Sequence, residues 1–209
     1  MPLLRLLGFC LVGLMAACAV DEQIPPVRSL LETRQDQVIA QKWDISCGAA
    51  ALATLLTYQL GDPVTEQEVA RSMLHRTDPL RVKHRGGFSL LDLKRYAQSR
   101  GYEADGYSDL SVEDLQQLAP LIVPMRARGY DHFVVFRGLV GDRVVLADPG
   151  FGNSTMSVPS FEGAWNGNVG FVVRRPNTET PNRVPPRHTD FVAPSNEVVR
   201  SALRLGTLR

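Results

Sequence analysis

The chain has 209 residues, 44% of them hydrophobic, with 23 lysines and arginines against 22 acids and a formal net charge of +1. No basic run suits nucleic acid or an anionic membrane surface, and no apolar stretch reaches the eighteen residues that a spanning helix needs. What remains supports one well-buried domain of about 140 residues, with no visible repeat.

Residues 1–19 read as a signal peptide. Arg5 supplies a short positive region, Leu6 to Leu14 an apolar one, and Ala16-Ala17-Cys18-Ala19 small residues for cleavage. Met15-Ala16-Ala17-Cys18 also resembles a lipobox, so Cys18 is either removed or acylated. The expected location is the periplasm, with membrane anchoring through Cys18 as the alternative. Cleavage deletes Arg5 and no acid, leaving 22 bases against 22 acids. Cys10 leaves with the signal, and Cys47 is then the one free thiol. A lone cysteine in an oxidising compartment asks for a reason, although a buried inert cysteine is the bland one.

Residues 20–36 read as a linker and 37–175 as the folded domain. From Ser46 the run Ala49-Ala50-Ala51-Leu52-Ala53-Thr54-Leu55-Leu56 is apolar nearly all round, which predicts a buried central helix ended by Gly61. Trp43, just before it, is expected to pack near the site. Thr65 and Glu68 form a capping box that opens a second helix to about Leu74. Ser89 caps a third, Leu90 to Arg100, stopped by Gly101. Gly86-Gly87, within Lys83-His84-Arg85-Gly86-Gly87, reads as a mobile loop before it rather than a self-cleavage site. Tyr102 to Tyr107 is extended, and Ser111 opens a short fourth helix. The period then changes to strands at 121–126, 132–138, 142–148 and 169–174. Helices followed by an antiparallel sheet predict an α+β domain with the central helix against the sheet. Residues 176–209, punctuated by five prolines, read as an extended tail with one short helix from Asn196 to Leu205.

Four residues carry candidate chemistry. Cys47 falls where the polar approach of Asp44 and Ser46 meets the helix, and a helix N-terminus favours a thiolate. Gly48 and Ala49 leave room for a substrate backbone. His132 and Asp148 fall on one hairpin. With its turn centred on Val140 they lie directly opposite, with Cβ atoms roughly 4.5–5.5 Å apart, at one end of a face formed by Val134, Phe136, Val144 and Leu146. A histidine and an aspartate so placed can form the orienting bond of a Cys-His-Asp triad. Each also has an ordinary reading, a strand-end histidine and a turn former before Pro149-Gly150. Gln41, six residues before Cys47, could donate its amide to a developing oxyanion, beside the Cys47 N–H. His75, His84 and His188 lack zinc-ligand spacing, and no phosphate-binding loop occurs, so neither metal nor cofactor is expected.

These residues resemble the C39 peptidases, the bacteriocin-processing family with a papain-like fold. Gln41 to Cys47 is similar to its Gln-x5-Cys-Gly block, and Gly87-Phe88-Ser89-Leu90-Leu91-Asp92-Leu93 to its second. His132-Phe133-Val134-Val135 and Asp148-Pro149 are similar to its His and Asp blocks. The resemblance spans about 41 to 174. It implies Cys47 as nucleophile, His132 as base, Asp148 as its orienter and Gln41 as oxyanion donor, acting on a protein or peptide. Most family members sit on cytosolic ends of ABC exporters and cut after a double glycine. This chain, with an export signal and no ATPase motif, is more similar to the freestanding exported members that accompany functional-amyloid secretion. A small residue, Gly or Ala, is implied before the cut. Two other readings stay open: a protease-derived module that binds a secreted peptide without cutting, and a papain-like amidase acting on cell wall.

Overall fold

A computed structural model describes residues 29–127 and 129–187. The signal peptide, Cys18, His188 and the helix suggested at Asn196–Leu205 lie outside the described residues. Seven helices and six strands are seen among those described: α1 (Leu30–Gln35), α2 (Cys47–Thr54), α3 (Glu66–Leu74), α4 (Pro79–Arg85), α5 (Leu90–Ser99), β1 (Glu103–Tyr107), α6 (Val112–Leu118), β2 (Leu121–Ala127), β3 (Tyr130–Val140), β4 (Arg143–Asp148), β5 (Gly152–Ser157), α7 (Val158–Ala164) and β6 (Gly170–Arg174). The strands form one antiparallel sheet in the order β1-β6-β2-β3-β4-β5. The domain is α+β. No described helix is long and apolar enough to cross a membrane.

Strand alternation sends neighbouring residues to opposite faces, and here both faces are covered. Ile122, Val135, Ala147, Phe171 and Val173 join a core with α2, α3 and α5. Leu121, Val123, Val134, Phe136, Val144, Leu146 and Val172 pack instead with Phe161, Trp165 and α6. Every residue of α2 is buried, which is why its sequence is apolar all round; a π-helical turn, Leu55–Gln59, continues it to Leu60. Gly61 follows in a left-handed conformation, φ 66°. Helices α3, α5 and α6 each begin with a reciprocal capping box.

Several elements depart from the sequence reading. Helix α1 forms inside the stretch read as linker, opened by its own Ser29/Glu32 capping box. Helix α4 occupies part of the stretch read as a loop; Asp78 caps it, Pro79 starts it and left-handed Gly86 ends it. Strand β5 and helix α7 were not expected. The hairpin also turns on Gly141-Asp142, closed by Val140 opposite Arg143, and Arg137 forms a β-bulge between Phe136 and Gly138. Phe136 is therefore opposite Leu146 and Val135 opposite Ala147. Extending that register places Asp148 across from Val134, two residues from His132, so the two are not the direct pair anticipated.

The bulge has a further consequence. Arg137, 1% exposed, donates through Nε to the Val184 carbonyl at 2.9 Å, through Nη1 to Asn153 Oδ1 at 2.8 Å, and through Nη2 to Gln37 Oε1 and the Pro185 carbonyl. A buried guanidinium needs such acceptors, and residues 181–187 supply half of them. Gln59 exchanges bonds with the Pro181 carbonyl and the Arg183 N–H, while Arg187 pairs with Asp36 at 2.8 Å. Pro186 seats on Gly138: a Cβ there would lie 2.8 Å from the proline ring, and φ is 145°. The first part of the proline-rich stretch is thus strapped to the domain. Ending the chain after Asn177 strips Arg137 of its Val184 and Pro185 acceptors. Thermal denaturation should then show a loss on the order of 3 kcal/mol, a fall in Tm of about 6–12 °C. An unchanged Tm would show that the strap contributes nothing.

Candidate active site

Three segments converge at the end of the sheet. Cys47 is the first residue of α2 and is 6% exposed; it is the free cysteine among the described residues. β3 and β4 pair up to Val135 and Ala147, and residues 130–134 pair only with β2. The two strands therefore splay apart where His132 and Asp148 stand. His132 Nε2 bridges the gap to Asp148 Oδ1 at 2.7 Å. The remaining ring nitrogen, Nδ1, is the one left to serve Cys47, whose side chain acts on the ring's protonation and lines the same cavities.

Asp148 stands both against the His132 ring and at the start of a turn. The same Oδ1 accepts the Gly150 N–H at 2.7 Å and the Phe151 N–H at 3.3 Å, so the turn that it forms also fixes the carboxylate against the ring. Gln41 is tied to that turn, its backbone N–H donating to the Pro149 carbonyl at 2.9 Å. Its side-chain Nε2 donates to the Trp43 carbonyl at 3.2 Å, which leaves one amide proton to give, while Oε1 is buried with no hydrogen-bond partner among the described residues. Trp43 itself is 42% exposed, beside the site rather than packed into it.

Two cavities share Cys47, His132, Asp131 and Gly86. One, of about 520 Å³, is bounded by Gln41, Asp44, Tyr130 and Phe151. The other, of about 240 Å³, runs under Gly87, Phe88, Leu90 and Pro124. Together they make a cleft that passes over the sulfur, with exposed Tyr130 and Phe151 along one side. Gly86-Gly87 is part of this cleft, a role that the sequence reading missed. A Cβ on Gly87 would stand 3.3 Å from the Ile45 carbonyl, on the loop that leads into Cys47. Arg85 holds the segment in place, donating to the Gly87 carbonyl at 3.1 Å and to buried Asp92 at 2.9 Å. Burial pushes the Asp92 carboxyl up, but bonds from Thr77 and Ser89 and the Arg85 charge outweigh it, and its pKa is lowered. The Asp78-Pro79 start and Gly86 stop of α4 were the signals that could have located this wall.

The electrostatics centre on His132. Burial disfavours its charged form, yet the bond to Asp148, the interaction with Cys47 and the charges of both overcome that and raise its pKa from 6.5 to about 9. The ring is therefore an imidazolium at neutral pH, poised to offset negative charge on sulfur. Because the pKa is raised, the proton stays bound below 6.5 and is lost as pH climbs through about 9. Titrating the ring by NMR should give a midpoint near 9 in the intact protein, shifted back toward 6.5 in Asp148→Asn. A midpoint near 6.5 in the unaltered protein would mean that the three groups are not coupled. Among the described residues no cluster of three or more His, Cys, Asp or Glu could hold a metal ion.

Comparison with known proteins identifies the family. Residues 35–177 match the model of the Peptidase C39 family. The chain is 44% identical over 148 residues to a protein of Pseudomonas aeruginosa named "Probable functional amyloid protease FapD", covering 70% of this chain and 65% of that one. It is 39% identical over 170 residues to the protein of the same name from Pseudomonas fluorescens, covering 80% and 75%. The chain thus spans less than two thirds of the first relative's length. Among solved structures, the peptidase domain of Streptococcus ComA aligns with a TM-score of 0.55 at 21% identity, over 66% of this chain and 97% of that one. A double-glycine-motif protease from an AMS/PCAT transporter, solved with its leader peptide, aligns with a TM-score of 0.54 at 26% identity, over 66% and 90%. The chain belongs to the peptidase C39 family of cysteine peptidases.

Proposed function

We propose that the chain is an exported cysteine endopeptidase that cuts a secreted protein or peptide in a functional-amyloid pathway. The observation that carries the reading is the His132 ring, held by Asp148 at 2.7 Å and sharing one cleft with Cys47 and Gln41. The names of the two Pseudomonas relatives support the pathway. The export signal read in residues 1–19 supports a periplasmic location.

The chemistry follows from the positions. The Cys47 sulfur attacks the scissile carbonyl carbon, and the carbonyl oxygen takes up the electron pair as an oxyanion. The spare Gln41 amide proton offsets that charge. Imidazolium His132 gives its proton to the departing amine as the C–N bond breaks, leaving an acyl-enzyme thioester. Neutral His132 then takes a proton from water, the hydroxide adds to the thioester, and Cys47 leaves. Asp148 touches neither substrate nor sulfur; it positions the ring and stabilises its charge. The cleft continues on both sides of Cys47, which suits a cut within a chain. A Gly or Ala before the cut is the expectation from the C39 resemblance.

With exported amyloid-pathway proteins as candidate substrates, followed by mass spectrometry of the products, Cys47→Ala and His132→Ala should abolish cleavage. Gln41→Ala should lower kcat by on the order of 10²–10³-fold while leaving KM nearly unchanged. Cleavage that persists in Cys47→Ala would remove the proposal. Saturable peptide binding without turnover in the unaltered protein would favour a binding module.

A further inference from the structure

Glu66 opens α3 but is only 3% exposed. A glutamate in a first helical turn ordinarily faces solvent, and α3 has no need of it as a cap, because Thr65 and Glu68 already form the capping box. Its Oε1 instead accepts the Lys42 backbone N–H at 2.8 Å and the Ser46 hydroxyl. Its Oε2 is buried with no hydrogen-bond partner among the described residues. A buried carboxylate with an idle oxygen is costly to keep. Both bonds that it makes go to the six-residue step from Gln41 to Cys47, one at each end.

The consequences for that step are specific. Ser46 is the N-cap of α2, yet its side chain makes no capping bond. Its hydroxyl has one proton and lies against both Glu66 and the Trp43 carbonyl, 2.8 Å away. Glu66 Oε1 is the nearer acceptor and takes the proton. The Trp43 carbonyl is then left to the Ser46 N–H and to Gln41 Nε2, the bond that sets the Gln41 amide. The first N–H groups of α2, which a serine at this position usually fills, receive no side-chain cap beside the Cys47 sulfur.

We propose that Glu66 is a positioning residue for the peptidase reaction, fixing the Gln41 amide and the Cys47 sulfur relative to one another through Lys42 and Ser46. The inference rests on the reading of Cys47 as nucleophile and Gln41 as oxyanion donor. Glu66 touches no reacting atom. Its effect passes through the loop, so its removal acts on turnover rather than on substrate capture.

The test compares Glu66→Ala, Glu66→Gln and Ser46→Ala with the unaltered full chain by three readouts: kcat and KM on a cleaved substrate, the rate of Cys47 alkylation by iodoacetamide at pH 6.5, and Tm. Glu66→Ala should lose roughly 10–10²-fold in kcat with KM within about twofold, and Cys47 alkylation should slow with it. Glu66→Gln should recover most of both, because an amide oxygen can accept the same two bonds. Ser46→Ala should fall between, since the bond to Lys42 survives. A Glu66→Ala protein with kcat and alkylation within twofold of the unaltered chain would overturn the proposal. So would losses that follow the unfolded fraction alone and that Glu66→Gln does not restore. The alkylation arm needs no substrate, so a chain that cleaves nothing still tests Glu66, and a chain that cleaves normally without Glu66 leaves the peptidase reading standing.

Discussion

The site depends on one interaction, the bond between His132 and Asp148 across the mouth of a hairpin that has opened. Had β3 and β4 stayed paired to their ends, the sheet would have filled the space that the imidazole and the cleft now occupy. The strands part after Val135 and Ala147, and a charged bond at 2.7 Å takes over from the backbone ladder. That bond holds the ring in one orientation, keeps it protonated at neutral pH and turns its other nitrogen to Cys47. The orienting carboxylate is itself fixed by the turn that follows it, through the Gly150 and Phe151 amides.

The rest of the fold brings a helix start to this gap. Helix α2 is buried on every side, between α3, α5 and the sheet, so it cannot shift without disturbing the core. Its first residue is the nucleophile. The approach to it is held from several directions: Gln41 by the Pro149 carbonyl, Lys42 and Ser46 by Glu66, Ile39 by Thr54. The wall opposite, Gly86-Gly87, is held by Arg85 and Asp92. A site assembled from a loop, a helix end and two strand ends is in this way as fixed as the core beneath it. Preorganisation of this kind is what nucleophilic catalysis with an oxyanion donor requires.

Much of this was legible because the sequence signals were local. The Thr65, Ser89 and Ser111 caps and the buried run from Ala49 to Leu56 announced their helices, and alternation announced the strands read from 121, 132, 142 and 169. The candidate residues Gln41, Cys47, His132 and Asp148 do line one region. What escaped depended on distant partners. The register slip comes from the turn, which falls on Gly141-Asp142 rather than on Val140; the bulge at Arg137 takes back one residue of it, and an arginine inside an apolar strand is tolerable only because carbonyls of residues 184 and 185 meet it. Docking through backbone carbonyls leaves no mark on side-chain pattern, so the proline-rich stretch read only as an extended tail. Strand β5, Gly152–Ser157, has no apolar alternation because it is an edge strand whose buried Asn153 is satisfied by Arg137 and the Asp36 carbonyl. Helix α4 was hidden by a basic composition that looked like solvent-facing loop, although its start and stop residues were present.

The most direct measurement is the pH dependence of Cys47 alkylation by iodoacetamide in the mature protein, beside the His132→Ala variant. With the His132 ring charged up to about pH 9, Cys47 below pH 8 should react much faster in the unaltered protein than in the variant; this is the result that the account requires. A rate that rises only near about pH 8.5, like a free cysteine, and is the same in both proteins would contradict it.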